Sequence, residues 1–198
     1  MIQCFAKDSF VSSFQKGTTP RLLSASYITV GFSQHPRILH KHTDKLELLF
    51  IRSGSGYYVV DNERYEIKPG NIIITNANVL HDEVPQYNRN LAMLSIAIDH
   101  VHINGLPENH LIPSDIQPII KTEKRFVLID AIFQEIFDSL AFEDDQQQET
   151  NQYLTQALLS LIIHACRKEG RPSTAQEKQD PLLRDILHYI DENYSADL

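Results

Sequence analysis

Residues 40–56 read HKHTDKLELLFIRSGSG and bring three chemical features together. His40 and His42 are separated by one residue, Glu47 follows five residues after the second histidine, and a run of serine and glycine closes the stretch. On a β-strand, residues two apart point to the same side, so a strand here would place both imidazoles together. These residue types predict either ligands of a metal ion or the polar wall of a small-molecule pocket.

The region from about residue 20 to 105 has the pattern of antiparallel β-structure. Turns are predicted at 53–56, 61–62, 69–71 and 76–78, where Ser, Gly, Asp, Asn and Pro concentrate. Segments rich in β-branched and aromatic residues lie between them and read SASYITVGF, LELLFIR, GYYVVD, NIIIT and AMLSIAID. This spacing is typical of a barrel or sandwich of short strands, and we interpret this half of the chain as an antiparallel barrel.

Two helices are predicted after Pro113. The stretch FVLIDAIFQEIFDSLAF carries apolar residues every three or four positions, namely Ile129, Phe133, Ile136, Phe137 and Leu140. A second helix from about 151 to 168 has one apolar face formed by Leu154, Leu158, Leu161 and Ala165, and another formed by Leu159, Ile163 and Cys166. A helix with two apolar faces needs two partners. We therefore expect the first of these faces to form a homodimer, with burial inside a single chain as the alternative.

The charge and the cysteines restrict the class of protein. The chain has 198 residues and a formal net charge of -8, so it lacks the basic surface that phosphate binding requires, and we do not expect this chain itself to bind DNA. Its two cysteines, Cys4 and Cys166, are far apart, which suits a reducing compartment. The start of the chain has no signal-peptide pattern and no apolar run is long enough to cross a bilayer. We expect a cytoplasmic protein without a membrane partner.

The C-terminal residues have a different composition from the helices before them. Residues 171–180 read RPSTAQEKQD, which is typical of a polar linker. A third helix is predicted over 181–198, with Asp180 at the N-cap and Pro181 at its first position. Because this amphipathic helix has little to pack against, we expect the natural protein to continue past Leu198.

The histidine stretch resembles the first motif of the cupin family, in which an HxH pair, a glutamate and a glycine follow at set spacings. His40 and His42, then Glu47 and Gly54, match this pattern, whereas Gln34 stands where the family has a leading glycine. The second cupin motif is matched only in part. Gly70 and His81 stand at the family's spacing, but three positions depart from it: Asn76 for proline, Asn78 for glycine and Pro85 for asparagine.

The cupin resemblance implies a ligand set for a divalent transition metal such as Zn, Ni, Fe or Mn, formed by His40, His42, Glu47 and His81. The departures in the second motif keep a metal-free pocket lined by the same residues as the alternative. A metal-dependent cupin enzyme, either a dioxygenase or an isomerase using these four residues, is the alternative function.

A cupin barrel, two helices, a polar linker and the terminal ILHYIDENYSADL together resemble the sensor half of AraC-family transcription regulators. The terminal stretch is similar to the first helix of that family's helix-turn-helix DNA-binding domain. The resemblance implies a mainly β plus α fold, with a cupin-type double-stranded β-barrel (jelly roll) followed by two antiparallel α-helices and the start of a further helix. The implied domains are a sensor barrel with an N-terminal arm at 1–112, a helical dimerisation segment at 113–170, the linker at 171–180 and the truncated DNA-binding domain at 181–198.

In AraC-like regulators the barrel holds a small effector and the adjoining helices form the dimer. The resemblance therefore implies a regulator rather than an enzyme, which senses a sugar or related metabolite and reaches promoter DNA through the missing C-terminal domain. Alternation along the strands predicts Leu49 and Ile51 as core, and it allows at most one of Tyr57 and Tyr58 to face inward, where its ring can stack on a sugar. The candidate ligand-binding residues are Arg37, His40, His42, Glu47, Tyr58, His81 and Glu83.

Overall fold

The computed structural model describes residues 1–7, 9–29, 39–84, 89–142 and 147–169. Within these ranges seven strands are followed by two helices. The strands are β1 (Arg21–Ile28), β2 (Leu46–Val60), β3 (Glu63–Ile67), β4 (Asn71–Thr75), β5 (His81–Glu83), β6 (Arg89–Asp99) and β7 (Ile119–Lys121). The helices are α1 (Phe126–Ala141), preceded by a 3-10 turn at Glu123–Arg125, and α2 (Gln148–Glu169). The predicted linker and third helix lie outside the described residues.

The strands pair antiparallel throughout, and β2 connects two groups of them. One group follows the order β1-β6-β2-β4-β7, while β3 and β5 pair with β2 off this path. The first part of β2 pairs with β4 and β6, and its last part, residues 56–60, pairs with β3 and β5. The predicted class, cupin-like antiparallel β-structure followed by two helices, is confirmed, although the path of paired strands is not closed among the residues that the structure describes. Strand β7 lies beyond the boundary predicted at residue 112 and pairs with β4.

The turn predicted at 53–56 is wrong, because these residues lie inside the single strand β2. Two irregularities in the pairing with β6 fall here, between Ile51 and Ser53 and between Ser53 and Ser55. Gly54 has a φ of 79°, a left-handed conformation that glycine adopts without strain. The serine and glycine residues therefore serve a bulged, bent strand, and the chain does not reverse.

The two faces of β2 belong to different apolar clusters. Leu46, Leu48 and Phe50 pack with the helices, whereas Leu49 and Ile51 pack in a second cluster. The second cluster also contains Tyr58, Val60, Tyr65 and Ile67 from the part of the fold that β3 and β5 complete. Leu49 and Ile51 are thus core residues, packed with apolar side chains from the other group of strands.

The helices cover the other face of the sheet. Ile129, Ile132, Phe133 and Ile136 of α1 are buried, and the ring of Phe133 stacks on Phe50 with a centroid distance of 5.5 Å. Arg52 of β2 ties the sheet to α1 as well, because its Nε lies 2.6 Å from Oδ1 of Asp130. Its Nη1 also donates a hydrogen bond of 2.6 Å to Oε1 of Gln134.

The face of α2 that was predicted to form the dimer packs largely against the chain itself. Leu158 has an exposed fraction of 0%, so it is a core residue and the prediction that it contacts a second copy is corrected. Leu154, Leu161 and Ala165 are partly buried against the same cluster. The exposed side of α2 includes Tyr153, Ala157, Ser160 and His164.

Candidate functional site

Three parts of the chain bring polar side chains together beside the second apolar cluster. His40 and His42 lie in the segment before β2, Glu47 lies near the start of β2, and His81 begins β5. The two histidines are not on a strand as predicted. His40 forms only an isolated antiparallel bridge with His81, and the backbone amide of Asn78 donates to the carbonyl of His42. These contacts fix the segment that carries both imidazoles.

The four side chains converge on one point. The ring centroids are 4.4 Å apart for His40 and His81, 5.0 Å for His40 and His42, and 5.4 Å for His42 and His81. Oε2 of Glu47 lies 3.2 Å from Nε2 of His81 and 3.9 Å from Nε2 of His42. One potential ligand atom from each residue lies within 4.8 Å of all the others. We call this cluster of His40, His42, Glu47 and His81 the histidine–glutamate site.

The tautomer of His81 is set by the backbone. Its Nδ1 lies 2.9 Å from the carbonyl oxygen of Val79, which has no proton, so Nδ1–H is the donor. His81 is 1% exposed, and its buried Nε2 has no hydrogen-bond partner. This nitrogen lies 3.2 Å from Oε2 of Glu47. A proton or a cation between the two atoms stabilises this arrangement.

The protonation states of Glu47 and His42 follow from their surroundings. Burial acts to raise the pKa of Glu47, but its contacts with His81 and Ser95 and the nearby His42 outweigh that effect, so the pKa is lowered. Burial and the charge of Lys45 lower the pKa of His42, against the opposing attraction of Glu47. At neutral pH the site therefore holds a carboxylate and a neutral imidazole, which are the forms that bind metal ions.

The spacing of the donor atoms fits a transition-metal ion. Nitrogen and oxygen ligands lie roughly 2.0–2.2 Å from zinc, so two ligands of one ion are at most about 4.4 Å apart. The donor atoms of the site lie within 4.8 Å of one another, which small side-chain rotations would close to that distance. The bond from His81 Nδ1 to a carbonyl is also the outer contact that metal-bound histidines commonly make.

The other predicted ligand residues are distributed unevenly. Tyr58 faces inward, is 3% exposed and stacks on His81 with a centroid distance of 6.4 Å. Glu83 is buried and pairs with Tyr58 across β5 and β2, which places it on the same face. Tyr57 lies on the opposite face, where the guanidinium of Arg64 sits over its ring. Arg37 lies outside the described residues.

Two residues that hold Glu47 were missed at the sequence level. The hydroxyl of Ser95 donates a hydrogen bond of 2.8 Å to Oε1 of Glu47, and the hydroxyl of Thr75 donates one of 3.0 Å to its carbonyl oxygen. Ser95 interrupts the apolar stretch AMLSIAID. A buried polar residue in an apolar strand needs a hydrogen-bond partner. The position of Ser95 in this strand is therefore a sequence signal that could have identified it as a residue of the site.

Comparison with known proteins places the chain in a family. Residues 22–163 match the model of the AraC-like ligand binding domain. An uncharacterized HTH-type transcriptional regulator, YdiP of Escherichia coli (strain K12), is 24% identical over an alignment of 198 residues that covers 97% of this chain and 63% of YdiP. The chain thus spans less than two thirds of this relative.

Two solved structures align with most of this chain at low sequence identity. The AraC-like transcriptional activator CuxR aligns over 88% of this chain and 58% of its own, with 12% identity and a TM-score of 0.42. Apo ToxT K231A of Vibrio cholerae strain SCE256 aligns over 95% of this chain and 68% of its own, with 11% identity and a TM-score of 0.40.

Neither described helix is both long enough and apolar enough to cross a bilayer. The family match covers more than two thirds of the chain, from β1 to the second half of α2, and so includes the strands and both helices. The chain belongs to the AraC-like ligand-binding domain family of transcription regulators.

Proposed function

We propose that this chain senses a small effector and forms the dimer of a cytoplasmic AraC-family regulator, and that the histidine–glutamate site is its sensing site. The convergence of four donor atoms within 4.8 Å carries this proposal. The acidic chain would reach promoter DNA through a separate DNA-binding domain of the complete protein. Effector binding would change DNA affinity only as far as it favours one arrangement of the regulator over another.

The effector is a small molecule rich in hydroxyl or carboxylate oxygens, such as a sugar or a related metabolite. Beside the site, the buried side chains of Leu49, Ile51 and Tyr58 form an apolar wall. His40 and His42 are only partly buried and give access from solvent. Imidazole and carboxylate groups hydrogen-bond hydroxyls, and Tyr58 adds an aromatic face.

The four residues of the site would also hold a divalent transition metal, in line with the donor spacing. When bound, such an ion supplies positive charge that attracts an oxygen atom of the effector. The chain's own contribution is to keep the ligand atoms deprotonated and correctly aimed, through the lowered pKa of Glu47 and the fixed tautomer of His81.

The proposal predicts that His42→Ala and Glu47→Ala each weaken effector binding by about 10-fold or more, because each removes a charge-assisted or polar contact worth about 1.5–3 kcal/mol. A thermal-shift screen of sugars and small carboxylic acids would identify a ligand, and titration calorimetry would then compare the variants. Lys68→Ala, at an exposed residue directly after β3, is the control and should bind normally. Unchanged affinity in both site variants would place the effector elsewhere.

The dimer is proposed to form through the exposed side of α2. Ala157→Glu, which places a charge in the middle of that side, is expected to produce monomers, because an unpaired charge at an interface costs several kcal/mol. Sedimentation velocity would measure the oligomeric state. Ala131→Glu, at an equally exposed alanine of α1, should leave the dimer intact. A dimer that survives Ala157→Glu would rule out this side of α2.

A metal-dependent dioxygenase or isomerase is the second candidate, because the same four donor atoms would serve it. The enzyme would be favoured if the iron- or manganese-loaded chain turned over a substrate and if Glu47→Gln abolished this turnover. Binding without turnover would favour the sensor.

A further inference from the structure

Ser95 contacts the histidine–glutamate site from a strand that contributes none of its four residues. It lies in β6, is 5% exposed, and donates its hydroxyl proton to Oε1 of Glu47 at 2.8 Å. In the pairing of β2 with β6, Leu49 stands opposite Ser95 and Glu47 opposite Ala97, so Ser95 and Glu47 are diagonal neighbours on one face. The contact therefore depends on the register of two strands that are distant in sequence.

The hydrogen bond from Ser95 decides which carboxylate oxygen meets the histidines. With Oε1 held by Ser95, Oε2 is the oxygen that lies 3.2 Å from His81 and 3.9 Å from His42. The backbone of Glu47 is anchored separately, because the hydroxyl of Thr75 donates to its carbonyl. Without Ser95, rotation about the terminal bond of Glu47 would be free, and either oxygen could turn away from the imidazoles.

We propose that Ser95 is a positioning residue of the histidine–glutamate site, which fixes the Glu47 carboxylate for a divalent transition-metal ion. This inference rests on the proposed function, since it assumes that the site holds such an ion. Outer partners of metal ligands orient them before the ion arrives, and their loss typically lowers metal affinity by about 10- to 100-fold. Ser95 does not touch the ion; it acts through Glu47.

The test is zinc titration of the full chain by calorimetry, together with the visible spectrum of the cobalt-loaded chain. Ser95→Ala should bind zinc about 10-fold more weakly and change the cobalt spectrum, because the carboxylate loses its fixed orientation. Ser95→Thr, which keeps the hydroxyl, should restore both. The matched control is Ser139→Ala, because Ser139 is a buried serine that donates to a side-chain oxygen of Asn151 at the contact between α1 and α2.

The possible outcomes distinguish the positioning role of Ser95 from the proposed metal site on which it rests. A general loss of stability would affect Ser139→Ala as much as Ser95→Ala and would leave the cobalt spectrum unchanged, which overturns the positioning role. Equal affinity and equal spectra for Ser95→Ala and the wild type would also overturn that role, while the metal site itself would stand. Absence of zinc binding in the wild type would overturn the metal site and the role of Ser95 together.

Discussion

Replacing His81 with alanine is expected to lower the affinity of the chain for zinc by more than about 100-fold, because even the outer partners of metal ligands contribute about 10- to 100-fold. His81 is the most deeply buried residue of the histidine–glutamate site, with 1% exposure, and its Nε2 is already aimed at Glu47. Titration calorimetry at neutral pH measures this loss. His164→Ala, which removes an exposed histidine of α2, is the control and should bind as the wild type does.

The same ion should stabilise the wild type and leave His81→Ala unaffected. At a zinc concentration 100 times the dissociation constant, the gain in the free energy of unfolding is about 2.7 kcal/mol, provided that the unfolded chain does not bind the ion. The affinity for zinc should fall as the pH is lowered, because a protonated imidazole cannot bind a metal ion. His42 should take up its proton at a lower pH than an ordinary histidine, because its pKa is lowered. Zinc binding by His81→Ala with wild-type affinity would show that these four residues do not form the metal site.

Replacing Leu158 with glutamate is expected to unfold the chain. Leu158 has 0% exposure and lies in the apolar cluster between the sheet and the helices, so a glutamate there would bury an unpaired charge. The expected loss in the free energy of unfolding exceeds about 4 kcal/mol, which is a large part of the 5–15 kcal/mol that holds a typical domain folded.

Urea denaturation followed by circular dichroism measures that loss. The control is Ala131→Glu, because Ala131 is exposed on α1, outside the proposed dimer contact, and its replacement should change the stability by no more than about 0.5 kcal/mol. A folded, monomeric Leu158→Glu chain would contradict the core assignment and return Leu158 to the dimer interface.

The helices were predictable to within a few residues, whereas several strands were not. Helix α1 was expected at 126–142 and spans Phe126–Ala141, because its apolar period alone identifies a one-sided helix. Strand β5 is only His81–Glu83 and contains no apolar residue, and β7 is three residues long, so neither carries a periodic signal. Strand β2 was divided at Gly54, because a bulge inside a strand uses the same residue types as a turn.

The four residues of the candidate site could be predicted from the sequence, but the residues that hydrogen-bond to Glu47 could not. The cupin-like spacing pointed to His40, His42, Glu47 and His81, and the structure brings these four together. Their roles as ligands stay a prediction. Ser95 was missed because its contact with Glu47 joins residues 48 apart in sequence and depends on the β2–β6 register, which no local pattern encodes.

The strand order has a kinetic consequence for how this chain reaches its native state. Strand β6 must join β1, where Arg21 pairs with Asp99 across a separation of 78 residues, before the edge of the sheet exists. Closing such a long loop lowers the entropy of the chain before the strand contacts that offset this cost have formed. Chains dominated by distant pairings therefore fold in roughly milliseconds to seconds. The nascent chain therefore exposes Leu46, Leu48 and Phe50 of β2 until the helices that pack on them have been synthesised, and this interval is when chaperones or aggregation compete with folding.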